Sequence, residues 1–402
     1  MKKVVFAVFF ILILVGCSTQ NVQEQPEPTA IVPAQTAEKE ETAVTTQEPT
    51  VQPPTQTPFS ESKQSNVNKE WFEGAIGDLK IHAKLEFSDD KVYGVYYYDQ
   101  YKIDIKLEGT ISSFTEMKEF KTVSLTEDTD KKGHIAGIFR TNDYFQGFWE
   151  SGSTIYPMYL IREGSDIMPP KQPSAEIKKF AGHWTGKYTN YFASSYADIK
   201  VLFDDLIFYE LFAFNGANSG GVDGFGIVNN GVAKTVFKDT TYDDENIFFE
   251  FRMVNNLLSL DSNDYNYMCG SGVWFDSEYV LGDIDIEMPT ALQVGIVETE
   301  EQEELFKKLV GDKYSDFISY TQAVDYSEVV LDGEKAKVGT SILRGAYGQC
   351  KYVISDKYIY AAIDEYDAIY YYTNDKKYAN KLPEPMTEWR NSGAKIIYNY
   401  VE

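Results

Sequence analysis

The sequence predicts a mainly β protein: two consecutive antiparallel eight-stranded meanders, each barrel-like, followed by an α+β domain. Short runs with period-two alternation of apolar and polar residues recur from about Lys69 onward, and turn residues separate them at short intervals. Beyond residue 297 a capped, 3.6-periodic helix appears for the first time. The chain has 402 residues, 15% of them aromatic, including 30 Tyr and 25 Phe, so core-forming side chains suffice for two or three domains.

In chain order, the first element is a targeting segment. Lys2 and Lys3 precede an uncharged apolar run, Val4 to Val15. That run is shorter than the about 20 residues a spanning helix needs and suits the hydrophobic region of a secretory signal. It ends in Leu14-Val15-Gly16-Cys17, which resembles the lipobox of bacterial lipoproteins. The resemblance implies a signal peptide over residues 1–16 and a diacylglyceryl group on the Cys17 thiol. It also implies an extracytoplasmic, membrane-anchored protein, on the outer face of the plasma membrane or on an outer membrane where the cell has one. Each buried acyl CH₂ contributes about 0.8 kcal/mol, so two chains anchor stably. Residues 17–68 then read as a tether: Pro, Thr, Gln and Glu dominate, and such a composition buries too little apolar surface to offset its ordering entropy.

The first predicted barrel covers residues 69–165, with strands in "FEGAIG", "LKIHAKLEF", "KVYGVYYYD", "YKIDIKLEGTI", "FKTVSLTED", "HIAGIFRTN", "YFQGFWES" and "YPMYLIRE". Ile81, Ala83, Leu85 and Phe87 share one face, as do Ile103, Ile105 and Leu107. Pro169, Pro170 and Pro173 then break the pattern. The second predicted barrel, 174–292, repeats the rhythm from "FAGHWTGKYT" to "GVWFDSEYVLG", with turn chemistry at Asn229-Asn230-Gly231 and Asn255-Asn256. The α+β domain, 297–402, opens with the capping box Thr299-Glu300-Glu301-Gln302 and a face of Leu305, Phe306, Leu309 and Val310. Phe317, Tyr320 and Val324 suggest a second helix, five antiparallel strands follow, a helical piece spans about Met386 to Asn391, and "AKIIYNYV" closes the sheet.

Charge and motif content narrow the chemistry. A formal net charge of -25 argues against nucleic acid as a partner and is compatible with a cationic protein. His82, His134 and His183 lie in separate strands without helical pairing, so no metal and no cofactor is expected. No Gly-x-Ser-x-Gly elbow is present and neither Cys269 nor Cys350 has a recognisable base partner, so the protein is expected not to be an enzyme. Export permits a Cys269–Cys350 bridge, but their places in different domains favour two buried thiols. "GANSGGVDGFG" (Gly216 to Gly226) reads as a hairpin with a bulge rather than a phosphate loop. "DSNDYN" (Asp261 to Asn266) lacks the glycine and glutamate of a calcium loop, and "DIDIE" places Asp283, Asp285 and Glu287 on one strand face. Tyr96, Tyr97 and Tyr98, like Tyr370 to Tyr372, point to both faces of a strand. Turned inward they fill a core, and turned outward they can stack on sugars.

Two short corners, Gly182-His183-Trp184 within "FAGHWTG" and "GFWES" (Gly147 to Ser151), resemble the Gly-x-Trp signature of calycin-type barrels. In size and strand count the first barrel also resembles the small barrels of bacterial lysozyme inhibitors, without an inhibitory-loop motif. The expectation is therefore a lipid-anchored surface binding protein without catalytic activity, with Tyr96, Tyr97 and Tyr98 as candidate binding residues for a glycan or a cationic protein. The alternatives are an inhibitor of a cationic wall-degrading enzyme such as lysozyme, and an envelope hydrolase using paired carboxylates.

Overall fold

The computed structural model describes residues 69–113, 120–129, 132–238, 246–262, 269–365, 368–389 and 393–402. Cys17, the signal segment and the 17–68 tether lie outside the described residues. The remainder is mainly β, with two closed eight-stranded antiparallel barrels and a six-stranded sheet carrying a few helices.

The first barrel is a simple meander of β1 (Lys69–Ile76), β2 (Leu79–Ser88), β3 (Lys91–Tyr98), β4 (Ile105–Ser113), β5 (Lys121–Glu127), β6 (His134–Thr141), β7 (Tyr144–Ser151) and β8 (Thr154–Arg162). It closes where β1 pairs with β8, Phe72 opposite Arg162 and Ile76 opposite Met158, and closure removes the open edges a sheet would otherwise present. Alternation decides what fills it. Phe72, Ile81, Leu85, Ile135, Phe145 and Met158 form part of an interior filled by side chains.

The second barrel uses β9 (Gly182–Gly186), β10 (Ala193–Phe203), β11 (Leu206–Asn215), β12 (Asn218–Asn229), β13 (Val232–Lys238), β14 (Asn246–Val254), β15 (Leu257–Ser262) and β16 (Ser277–Leu281), with β9 closing between β10 and β16. A short helix, α1 (Ala175–Lys178), leads in, and its Ile177 and the following Phe180 pack into the barrel core. Trp184 is buried there, its indole N–H donating to the Phe180 carbonyl at 2.8 Å. The glycine-dense β11–β12 hairpin keeps an unbroken register from Leu206↔Ile227 to Asn215↔Asn218. The expected bulge is therefore absent there, because Gly216 at φ +66° and Ala217 alone make the turn. A register shift falls instead between Val201 and Phe203.

The two barrels share an apolar seam of Ile138 and Phe148 against Leu202, Phe203, Leu206 and Phe208. The rings of Phe148 and Phe208 meet edge-on at 4.8 Å. Polar atoms at the seam are satisfied across it: Arg140 donates to Asp205 at 2.7 Å and Gln146 donates to the same carboxylate at 3.1 Å.

The third region holds α2 (Glu300–Val310), α3 (Tyr314–Ser319), β17 (Ala323–Leu331), β18 (Glu334–Leu343), β19 (Ala346–Ile354), β20 (Ile359–Glu365), β21 (Ala368–Thr373), α4 (Glu384–Thr387) and β22 (Lys395–Tyr400). Thr299 caps α2, accepting from Gln302 N–H at 3.2 Å. Val324 belongs to β17, not to the second helix, because α3 ends at Ser319 and the chain turns extended four residues later. The last helical piece starts at Glu384, two residues earlier than expected, with Pro383 as its cap and Pro385 in its first turn. The closing strand β22 runs parallel to β21, so the sheet is mixed rather than wholly antiparallel. The segment holding α4 returns the chain to the same sheet end before β22 begins, and only such a crossover permits a parallel pair. Tyr371 and Tyr372 point to opposite faces of β21 into two separate cores, so that tyrosine run is packing material.

Candidate functional site at the mouth of the first barrel

Strand β3 carries the Tyr96-Tyr97-Tyr98 run, and its alternation separates the three. Tyr96 and Tyr98 join the barrel interior, whereas Tyr97 stacks on His82 of β2, ring centroids 5.2 Å apart and 20° from parallel. Tyr96 is 1% exposed and cannot itself meet a ligand; Tyr98 is half-buried at the end of the strand.

Beside them lies a residue that sequence reading passed over. Val123, Leu125 and Glu127 share the inward face of β5, so the last position of an apolar row is a carboxylate, 6% exposed. A buried carboxylate without partners is costly, and here donors converge on it. The Tyr96 hydroxyl and the Trp149 indole N–H, the latter at 2.6 Å, both donate to Oε1. Gly133 N–H donates to Oε2 at 3.2 Å. The glycine is required there: a Cβ at position 133 would sit 2.5 Å from both Glu127 Oε2 and Trp149 Nε1.

Around this braced floor stand further rings. Tyr98 lies 5.5 Å from Tyr96 and 6.4 Å from Tyr101, while Trp149 lies 6.1 Å from Tyr156 at 32°. Tyr101, in the turn after β3, is 44% exposed. Burial, then the neighbouring Tyr98 and Glu127, hold the Tyr96 phenol far above its ordinary range, and burial also raises Tyr98. Both phenols therefore stay neutral at physiological pH, and the Tyr96 hydroxyl remains a donor to Glu127. The result is a shallow aromatic cup on a filled barrel. Its carboxylate is braced by three neutral donors, and the rings around it offer faces for stacking and hydroxyls for hydrogen bonding.

The remaining candidates occupy other places. All three histidines stand on outer barrel surfaces beside carboxylates. His82 is 3.5 Å from Glu163 and 3.9 Å from Asp99, and His183 is 2.8 Å from Asp198 and 3.4 Å from Asp283. His134 is 2.9 Å from Glu150 on one side and 3.0 Å from Ser124 on the other. Among the described residues no set of three His, Cys, Asp or Glu side chains converges as a metal centre. Asp283, Asp285 and Glu287 belong to no strand, because β16 ends at Leu281 and the chain leaves the barrel there. Part of "DSNDYN", residues 263–266, lies outside the described residues. Cys269 packs against the second barrel's core and Cys350 inside the third region's core, and the two are not bridged. Burial pushes the Cys350 thiol up to about 12.

A groove of about 440 Å³ lies beside the N-terminal end of α2, lined by Tyr326, Glu328 and Val330 of β17, Lys335 and Lys337 of β18, and Asp356. Its charges are mixed, and Lys337 is already paired with Glu298. Comparison of the whole chain with protein-family models and with curated proteins returns no match.

Proposed function

We propose that the protein is a lipid-anchored, extracytoplasmic binding protein that holds a glycan at the mouth of its first barrel. Anchoring rests on the Leu14-Val15-Gly16-Cys17 motif, with the acylated Cys17 thiol as the membrane contact. The observation that carries the binding assignment is the cup of Tyr98, Tyr101, Trp149 and Tyr156 over the braced Glu127 carboxylate. Aromatic faces stack on the C–H faces of sugar rings, while neutral phenols and hydroxyls exchange hydrogen bonds at the rim. A filled interior limits the ligand to surface contact, which suits capture of one end or one face of a polymer. Glu127 is 6% exposed and lies beneath the rings, braced by Tyr96, Trp149 and Gly133, which supports its reading as a structural support for the cup.

The test is titration of the full chain with soluble cell-wall glycan fragments, followed by tryptophan fluorescence and calorimetry. Tyr101→Ala, which removes an exposed ring without touching the core, is expected to weaken binding about tenfold, the worth of one stacked ring at about 1.4 kcal/mol. Equal binding by Tyr101→Ala and the unaltered chain, or no saturable binding at all, rejects a glycan site at this mouth.

A further inference from the structure

The outer face of the first barrel carries an arrangement that the binding assignment does not use. Strands β5, β6 and β7 lie side by side, with Thr126 opposite His134 and His134 opposite Glu150. Ser124, two residues before Thr126 on the same outward face of β5, lies diagonal to His134, so the three side chains Ser124, His134 and Glu150 meet across three neighbouring strands. Glu150 Oε1 sits 2.9 Å from His134 Nδ1, and Ser124 Oγ sits 3.0 Å from His134 Nε2. An ionised carboxylate can only accept, so Nδ1 carries the proton of the neutral imidazole and Nε2 is left to accept from the serine hydroxyl. Phe148, edge-on to the imidazole at 6.5 Å, backs the ring. Those are the relations of a nucleophile, a general base and the group that orients the base.

We propose that Ser124, His134 and Glu150 form an acyl-transfer site for small carboxylic esters, separate from the barrel mouth. Ser124 is exposed, so an ester can reach its oxygen. Directly opposite Ser124 on β6 is Ala136, half-buried against the seam between the barrels, which provides a small apolar shelf for a short acyl group. Thr110, opposite Ser124 on β4, and Thr126, two residues along β5, bring exposed hydroxyls to the same face.

In the forward step the Ser124 Oγ–C bond forms, the carbonyl π pair moves onto oxygen, and the hydroxyl proton passes to His134 Nε2. Collapse of the tetrahedral species breaks the C–O bond of the ester, and the departing alkoxide takes the proton from Nε2 and leaves as the alcohol. Water then attacks acyl-Ser124 with its proton passing to Nε2, and the proton returns to Ser124 as the carboxylic acid departs. Glu150 keeps the imidazole in the productive tautomer and stabilises the imidazolium. Backbone N–H groups here are engaged in the sheet, so the oxyanion has only side-chain hydroxyls. Loss of one preorganised donor costs about 10²–10³ in rate, and turnover is accordingly expected to be slow relative to acylation of the serine.

The test exposes the full chain to a fluorophosphonate probe and to p-nitrophenyl acetate, and maps modified serines by peptide mass spectrometry. Ser112, exposed on β4 and hydrogen-bonded among the described residues to Thr122 rather than to an imidazole, is the internal reference for intrinsic serine reactivity. Ser124 is expected to label at least tenfold faster than Ser112, and His134→Gln and Glu150→Ala are each expected to reduce that ratio by tenfold or more. Unchanged circular dichroism of these surface variants separates loss of reactivity from loss of fold. A Ser124-to-Ser112 ratio below ten in the unaltered chain, or a ratio indifferent to His134→Gln, overturns the proposal. Either result leaves the glycan reading of the mouth intact, because neither serine belongs to the cup.

Discussion

Replacing Glu127 tests how the first barrel's mouth is held. In Glu127→Ala, the Tyr96 hydroxyl, the Trp149 indole N–H and the Gly133 N–H lose their acceptor together. Two of these donors are buried and one is half-buried. An unsatisfied buried donor costs about 1–3 kcal/mol, and removal of the carboxylate's own desolvation penalty offsets part of the sum. The expected net loss is about 3 kcal/mol. Glu127→Gln keeps one acceptor oxygen, yet its amide N–H₂ must face either Gly133 N–H or the indole N–H, so its expected loss is smaller, about 1–2 kcal/mol. Native-state hydrogen exchange reads this locally, since 3 kcal/mol accelerates opening of the affected unit by about 10². Amides of β3, β5 and β7 should exchange about a hundredfold faster in Glu127→Ala, those of β19 and β20 no faster, and Glu127→Gln should fall between. Acceleration below about fivefold in the Ala variant, or a larger effect for Gln than for Ala, refutes the picture of a carboxylate brace.

Raising the pH should destabilise the fold from about pH 9 upward. Burial holds the Cys350 thiol at about 12 and the Tyr96, Tyr209 and Tyr352 phenols above their ordinary range. The unfolded chain ionises first and binds fewer protons than the fold, so stability declines by up to about 1.4 kcal/mol per pH unit per group. Melting temperatures at pH 8, 9.5 and 10.5 should fall in that order, and a flat series contradicts the burial of these groups. At the other end of the chain, Cys17→Ser should abolish incorporation of an azido-fatty acid during growth, and undiminished label in the variant rejects the anchor.

Alternation and turn chemistry determined much of the architecture without tertiary information. Rows such as Ile81, Ala83 and Leu85 have one apolar side, and burying that side in a chain of short, turn-linked strands leads to meanders closed on themselves. The same period predicts that Tyr96 and Tyr98 part company from Tyr97, although not which pair faces inward. Helix α2 was legible because Thr299 and its apolar face signal locally. Long-range pairing carries no such local signature. The parallel β21–β22 pair depends on where the chain re-enters the sheet after α4, and Val324 joins β17 because nine consecutive residues pair with β18.

The site residues divide the same way. Glu127 occupies an inward parity in "KTVSLTE", which marks it as unusual, but its donors stand on β3 and β7 and before β6. Likewise Ser124, His134 and Glu150 are separated by 10 and 16 residues and look unrelated in the chain. Strand register alone brings them within hydrogen-bond distance. Local preference determines which side of a strand is apolar, whereas the meeting of polar groups depends on barrel closure and on the exact offset between neighbouring strands, and both are set by packing of the whole core.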